Sequence, residues 1–346
     1  MLLPRLLLCC ALACALPVSA QDERADGADA RATAYDGYSL RLSQTLAAKG
    51  GARNLALAAW LRDLGGRRNA VAGMPDDDTP SQAMPEGAQV AAWRRDAARA
   101  RDRDLMTDLL LVSVDGTVGR DAATRWAAAE PDNAAPLLFQ GLSADGLLAA
   151  MRGRQRFDLH FIDESRWLAG VYAANPPNAA ELAPLSDDDA PLSPDAITVN
   201  GSGGLWATVA IPNFRDLVRA CSGTALRATP TRPADCAHAA DVMADASDTA
   251  IGRLIGIGLR ERSASDDAVR AAAQQARRRS DWQLSEWGRV AQSLPDDGAP
   301  QFLRLLRDPS VHTEIDLIGR ALREANVPLD PPAGWQPPRP QQQQER

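Results

Sequence analysis

Apolar positions along this chain recur at the spacing of helices rather than strands. Leu57, Trp60, Leu61 and Leu64 fall at i, i+3, i+4 and i+7, one stripe of a helix that Gly65-Gly66 would close. Leu105, Met106, Leu109 and Leu110 make a second stripe, ended by Gly116; Trp287, Val290, Ala291 and Leu294 make a third. A helix is also predicted from Ala88 onward. Shorter helices are predicted over 119–130, 133–142, 143–152 and 158–174, and after Pro176-Pro177 over 205–221, 234–247, 248–262, 266–294, 300–307 and 310–326. Gly252, Gly256 and Gly258 read as a small-residue seam for a neighbouring helix. The fold expected is all-α, an array of antiparallel helix pairs that could extend into a degenerate α-solenoid.

Composition supports that class. The 346 residues are 45% apolar but only 5% aromatic, and 65 are alanine. Such a bias suits helices and disfavours a β-sandwich or barrel, which draws on β-branched and aromatic residues.

Six segments are expected. Residues 1–20 read as a signal peptide: Arg5, an apolar run from Leu6 to Leu16, Pro17, then the small residues Val18-Ser19-Ala20 before the cut. The alternative is a lipoprotein at Cys14, but Ala11 stands where a lipobox carries a large aliphatic residue. Soluble export, to the periplasm or beyond, is therefore the reading adopted. Residues 21–37 lack apolar periodicity and are predicted disordered; 38–181 form a helical N-terminal half. Residues 182–204 carry Asp187-Asp188-Asp189 and Asn200-Gly201-Ser202-Gly203-Gly204, which predicts a linker or hinge. A helical C-terminal half, 205–327, is followed by a Pro- and Gln-rich tail, 328–346, expected to be disordered.

A repeat signal runs through the middle. Residues 127–135 (AAAEPDNAA) and 172–180 (YAANPPNAA) agree at six of nine positions, and each closes an alanine-rich helix containing a tryptophan, Trp126 or Trp167. A weaker echo stands at 293–299. Over Asp121 to Leu182 the chain resembles the tetratricopeptide repeat and related helical-hairpin families, in which an alanine-rich second helix ends in Pro-Asp-Asn-Ala. That resemblance implies stacked helix pairs presenting a surface to another protein. Pro131 and Pro176 stand 45 residues apart, against about 34 in that repeat. The Trp-x-x-Leu-Gly-x-x-Tyr signature is missing after Asn133. An irregular helical array punctuated by prolines therefore stays open beside the repeat.

Without its leader the chain carries 37 basic against 45 acidic side chains, a net charge of −8. That sign argues against nucleic acid as a partner. The cluster Arg94, Arg95, Arg99, Arg101 and Arg103 is interleaved with Asp96, Asp102 and Asp104 and reads as a solvated helix face. No segment after the leader reaches the ~20 apolar residues of a membrane span. Of five cysteines, three lie in the leader; Cys221 and Cys236 remain, a structural disulfide in an oxidising compartment, with two buried thiols as the alternative.

Candidate chemistry is thin, since only three histidines occur. His160, Asp163 and Glu164, at i, i+3 and i+4, could share a helix face and hold a metal or serve acid–base chemistry, but no second ligand cluster accompanies them. A packed histidine paired with a local carboxylate competes with that reading. His312, Glu314 and Asp316 look like a helix start, where carboxylates favour the dipole. The disulfide takes His238 out of metal chemistry, and Ser202 lacks the Gly-x-Ser-x-Gly turn of a nucleophile. Asp76–Asp78 and Asp187–Asp189 lack the ligand spacing of a calcium loop. No catalytic, metal or cofactor residue is assigned. The function expected is a protein- or peptide-binding scaffold in the bacterial envelope; the alternative is an exported hydrolase or metal-dependent enzyme using His160 with Glu164.

Overall fold

The computed structural model describes residues 21–71, 87–183 and 192–337. The leader 1–20, both aspartate runs (Asp76–Asp78 and Asp187–Asp189) and residues 338–346 of the predicted tail lie outside the described residues. Within them the chain is all-α. Its only β-type pairings there are two isolated bridges, Asn133 to Arg156 and Phe157 to Ser247. No described helix is long and apolar enough to cross a membrane.

Two compact units interleave along the chain. One takes Met1–Ala129 and Trp167–Ile211, the other Glu130–Arg166 and Pro212–Arg346. The division expected around 182–204 is therefore replaced by a discontinuous one, with a boundary inside a helix. Linear sequence cannot reveal it, because compactness depends on which helices pack rather than which are adjacent.

In the first unit, α1 (Gln21–Lys49) and α2 (Ala52–Val71) form a hairpin around Gly50 and Gly51, whose φ of 68° and 83° lie in the left-handed region that glycine tolerates. Tyr38, Leu42 and Leu46 are buried there, as are Leu57, Trp60 and Leu61 of the predicted stripe. Each such leucine contributes roughly 1.5–3 kcal/mol by leaving water. Two expectations fail here. Residues 21–37 are helical, with Asp36 and Tyr38 already buried, and α2 runs through Gly65-Gly66 to Val71. A helix packed on a neighbour tolerates glycines that would end an isolated one.

Next come α3 (Ala88–Arg99), α4 (Leu105–Leu111) and α5 (Thr117–Ala129). Asp104 caps α4, accepting from the Thr107 amide at 3.0 Å. Arg94 departs from the solvated-face reading: it is buried, paired with Asp63 at 3.1 Å and stacked 4.9 Å over Trp60. The unit takes the end of α7 (Phe161–Ala174), the one-turn α8 (Ala179–Leu182) and α9 (Pro194–Val209). The last overturns the linker reading of 192–204. Ser193 caps α9 through the Ala196 amide and Pro194 occupies its first turn. Gly201 is required by packing, since a Cβ there would meet the Tyr172 ring at 2.4 Å.

The second unit contains a 3-10 turn (Ala135–Phe139) where a longer helix was expected, since Pro136 and the Asn133 side chain set the local path. Its α-helices are α6 (Ala144–Met151), α10 (Arg215–Ala220), α11 (Arg232–Asp245), α12 (Ala250–Ser263), α13 (Asp267–Gln292), α14 (Ala299–Leu306) and α15 (Glu314–Glu324), besides the first turns of α7. The helix predicted over 205–221 is broken into α9 and α10 at Ile211-Pro212-Asn213, as a proline that donates no amide requires. Cys221 and Cys236 are bonded, Cα to Cα 5.6 Å, tying the end of α10 to α11. The glycine seam on α12 is real at two positions: a Cβ at Gly256 would stand 2.3 Å from the Ala244 amide, and one at Gly252 2.3 Å from Ser247 Oγ. Val290, Ile318 and Leu322 share a core with Trp287 and Leu294 of the third stripe.

The start of the expected disordered tail is ordered against α13. Trp282 donates to the Pro328 carbonyl at 2.8 Å, and its ring meets Trp335 edge-on at 5.4 Å. Proline-rich composition does not prevent docking where an indole accepts the strand.

Candidate functional site

Two places in the described residues could carry function, and they differ in kind. The first lies in the second unit, where the chain after α5 turns back on itself. Asn133, fully buried, organises this turn. Its amide donates to Glu130 Oε2 at 2.9 Å and the Asp158 carbonyl at 2.8 Å, while its Oδ1 accepts from the Ala135 and Asp158 amides, both at 3.0 Å. Arg156 meets three carboxylates: Asp158 at 2.5 Å, Asp132 at 3.1 Å and Glu130 at 3.2 Å.

His160 precedes α7 rather than lying on it, with φ at +56°. It thus shares no helix face with the two carboxylates. Its Nε2 lies 3.0 Å from Glu130 Oε2. Burial pushes its pKa down, but the Glu130 hydrogen bond and the charges of Asp158, Glu130 and Asp248 outweigh that and raise it. Asp163 points to solvent and pairs with Arg166 at 3.3 Å. Glu164 is fully buried, and neither carboxyl oxygen has a hydrogen-bond partner. Burial, reinforced by Asp248 and opposed by His160, pushes it up to about 8.

The residue that completes this cluster is one the sequence did not single out. Asp248, in the turn between α11 and α12, accepts from the amides of Leu159 at 2.8 Å and Phe161 at 2.9 Å. Its carboxylate thus sits at the N-terminus of α7, where it satisfies amides the helix leaves unpaired. Its pKa is raised by burial and by Asp158, against the pull of those two amides and His160. The backbone continues the clamp: Phe157 donates to the Ala246 carbonyl at 2.9 Å, Asp248 to Phe157 at 3.1 Å, and Glu314 to Asp248 at 2.8 Å. Glu314 in turn accepts from the Ala250 amide of α12 at 2.7 Å, and burial lifts it to about 7. Of the third histidine group, His312 is exposed, and Asp316 forms a capping box with Thr313. His238 faces the carbonyls of Met151 and Arg154 at 3.0 and 3.1 Å.

Access limits what this cluster can do. Glu164, Asp248 and Glu314 are each under a tenth exposed, and their acceptors face backbone amides or nothing. Among the described residues no three His, Cys, Asp or Glu side chains are placed to hold a metal ion. Acid–base catalysis needs a substrate atom within hydrogen-bond reach of the proton donor, and the burial of Glu164, Asp248 and Glu314 limits that reach.

The second place is a cavity of about 250 Å³ within the first unit. Its walls are Tyr35 and Ser39 of α1, Leu61 and Leu64 of α2, Tyr172 of α7, and Asn200, Gly204, Leu205 and Thr208 of α9. It contains no carboxylate, imidazole, guanidinium or thiol. Gly204 is exposed, and a Cβ there would meet nothing within 4 Å. Ser202, the weighed nucleophile, is a buried helix residue whose hydroxyl donates to the Thr198 carbonyl at 2.7 Å. Sequence reasoning missed this cavity because it took α9 for a linker. The overlooked signal was Ser193-Pro194-Asp195, a helix start of the ordinary kind.

The repeated proline segments behave alike in one respect. Asn178 caps α8 by accepting from Ala180 and Glu181, and Asn133 accepts from Ala135, two residues on in both cases. No protein-family model, curated protein or solved structure matches the chain.

Proposed function

We propose that this chain is an exported, non-catalytic helical binding protein of the bacterial envelope, and that its first-unit cavity receives an uncharged apolar side chain from a peptide or protein partner. The observation carrying this reading is the cavity's lining: two tyrosines and three leucines beside Ser39, Asn200 and Thr208, without one ionisable acid or base at neutral pH. Its size, about 250 Å³, falls below the roughly 300–1,000 Å³ of small-molecule sites and suits one or two side chains. Tyrosine offers contact area at low entropic cost with a hydroxyl at the rim. The resemblance to tetratricopeptide-type hairpins, with a solenoid-like stacking of helix pairs, belongs to this proposal, as do the cleaved leader and the periplasmic location. The disulfide is consistent with an oxidising compartment. The alternative of a hydrolase or metal enzyme would have to work through His160 and Glu164, and the closure of Glu164 counts against it.

The test uses Gly204→Leu. Gly204 lines the cavity and a Cβ there meets nothing within 4 Å, so a larger side chain starts from the cavity wall without a clash, and replacing a helical glycine favours the helix. Peptides selected against the full mature chain from a random display library should bind Gly204→Leu at least tenfold more weakly by fluorescence anisotropy, with its melting temperature unchanged or raised. Peptides that bind both proteins equally, or a library that yields no binder, would overturn the reading.

A further inference from the structure

We propose that Glu164, buried without a hydrogen-bond partner in the first turn of α7, is the proton-binding centre of a pH-responsive latch that holds segment 157–166 against the turn between α11 and α12. A buried carboxyl with no donor is tolerable only when protonated, because the ionised form has neither water nor an amide to solvate it. Glu164 stands one turn from the two amides that Asp248 holds, so charge at Glu164 acts on the fastening itself.

Burial sets the sign, and the surrounding charges modify it. The turn after α5 contributes Glu130 and Asp132, the loop before α7 contributes Arg156, Asp158 and His160, the α11–α12 turn contributes Asp248, and the start of α15 contributes Glu314. On α7 itself, Asp163 and Arg166 pair with each other toward solvent. With every group ionised, Glu130, Asp132, Asp158, Glu164, Asp248 and Glu314 are six negative charges against Arg156 and His160. At Glu164 the pull of His160 and the push of Asp248 are both outweighed by burial, so a proton there removes a charge that no hydrogen bond solvates.

Glu164 is raised from its ordinary value to about 8, so the folded latch binds a proton that the opened chain releases. The latch is therefore tightest below the ordinary glutamate range and weakens steadily as pH rises to about 8. His160, also raised, works in the same direction: its contribution is complete below the ordinary histidine value and disappears as pH climbs through the raised one. Asp308 and Glu181 are depressed, Asp308 to about 2, so their contribution is complete above the ordinary carboxylate values, is lost as pH falls below them, and leaves the neutral range untouched.

Hydrogen exchange on the full mature chain, corrected for intrinsic rates and read by mass spectrometry over 157–166, tests this. Glutamine copies the shape of the protonated acid, so Glu164→Gln should lose the Glu164 share of the pH response and keep only that of His160, Asp248 and Glu314. The opening constant of the wild type relative to Glu164→Gln should rise by close to tenfold per pH unit between about 5 and 8, then level off. Exchange across the α1–α2 hairpin should stay the same in both proteins. Glu164→Leu removes the charge by a second route and should show the same residual pH response as Glu164→Gln. A ratio that is constant with pH, or faster exchange in Glu164→Gln than in wild type at pH 8, would overturn the proposal, because a purely structural role gives a pH-independent offset.

Discussion

The two units divide open space and ionisable chemistry between them. The first has a cavity whose lining carries no acid or base that ionises near neutral pH; the second has buried carboxyls and a histidine, none of which lines that cavity. An enzyme brings the two together, since a perturbed group needs room for a substrate beside it. Their separation teaches that a strongly shifted carboxyl can be a fastening rather than a catalyst: Asp248 and Glu314 spend their oxygens on amides at the starts of α7 and α12. A cavity in turn gains from neutrality, because a wall without charge admits an apolar side chain at no desolvation penalty.

Four substitutions or treatments probe the contrast, in falling order of effect. Asp248→Asn keeps one carbonyl oxygen for two amides and turns an NH2 toward the other; urea unfolding should register a loss of about 2–4 kcal/mol in the second unit. A cost under about 0.5 kcal/mol would mean the cluster fastens nothing. Reducing the Cys221–Cys236 bond, which closes a loop of 15 residues, should lower stability by about 3 kcal/mol in the chain-entropy account, measured with and without dithiothreitol. The smallest effects come from two glycines three residues apart on α9. Gly201→Ala drives a methyl against the Tyr172 ring and should cost about 1–3 kcal/mol. Gly204→Ala faces the cavity and should gain up to about 1 kcal/mol. If both move stability the same way, the cavity is not open beside α9.

Much of the helical framework was legible in the chain. The stripes at Leu57–Leu61 and around Val290 are buried where periodicity puts them, and the Cys221–Cys236 pairing follows from an even count. Punctuation was less reliable. Gly65-Gly66 and Gly201 to Gly204 looked like stops yet lie inside helices; at Gly201 the Tyr172 ring occupies the place a Cβ would take. Pro212, in contrast, broke a helix that apolar spacing had extended through it. The candidate site was half visible. His160 and Glu164 are indeed at its centre, but the helix-face geometry was wrong, and Asp163 belongs to the surface.

What the amino-acid order determined alone is local: a 3.6-residue recurrence of apolar side chains, caps such as Asp104, Ser193 and Thr313, and one pair of cysteines. These depend on neighbours within a turn or two, so the order of residues states them directly. Tertiary structure decided the rest. Asp248 reaches amides 87 and 89 residues away, and α9 closes a cavity against tyrosines from α1 and α7. Those contacts exist only once apolar stripes have chosen their partners, a choice made by the shape and volume of whole helix faces rather than by any single residue.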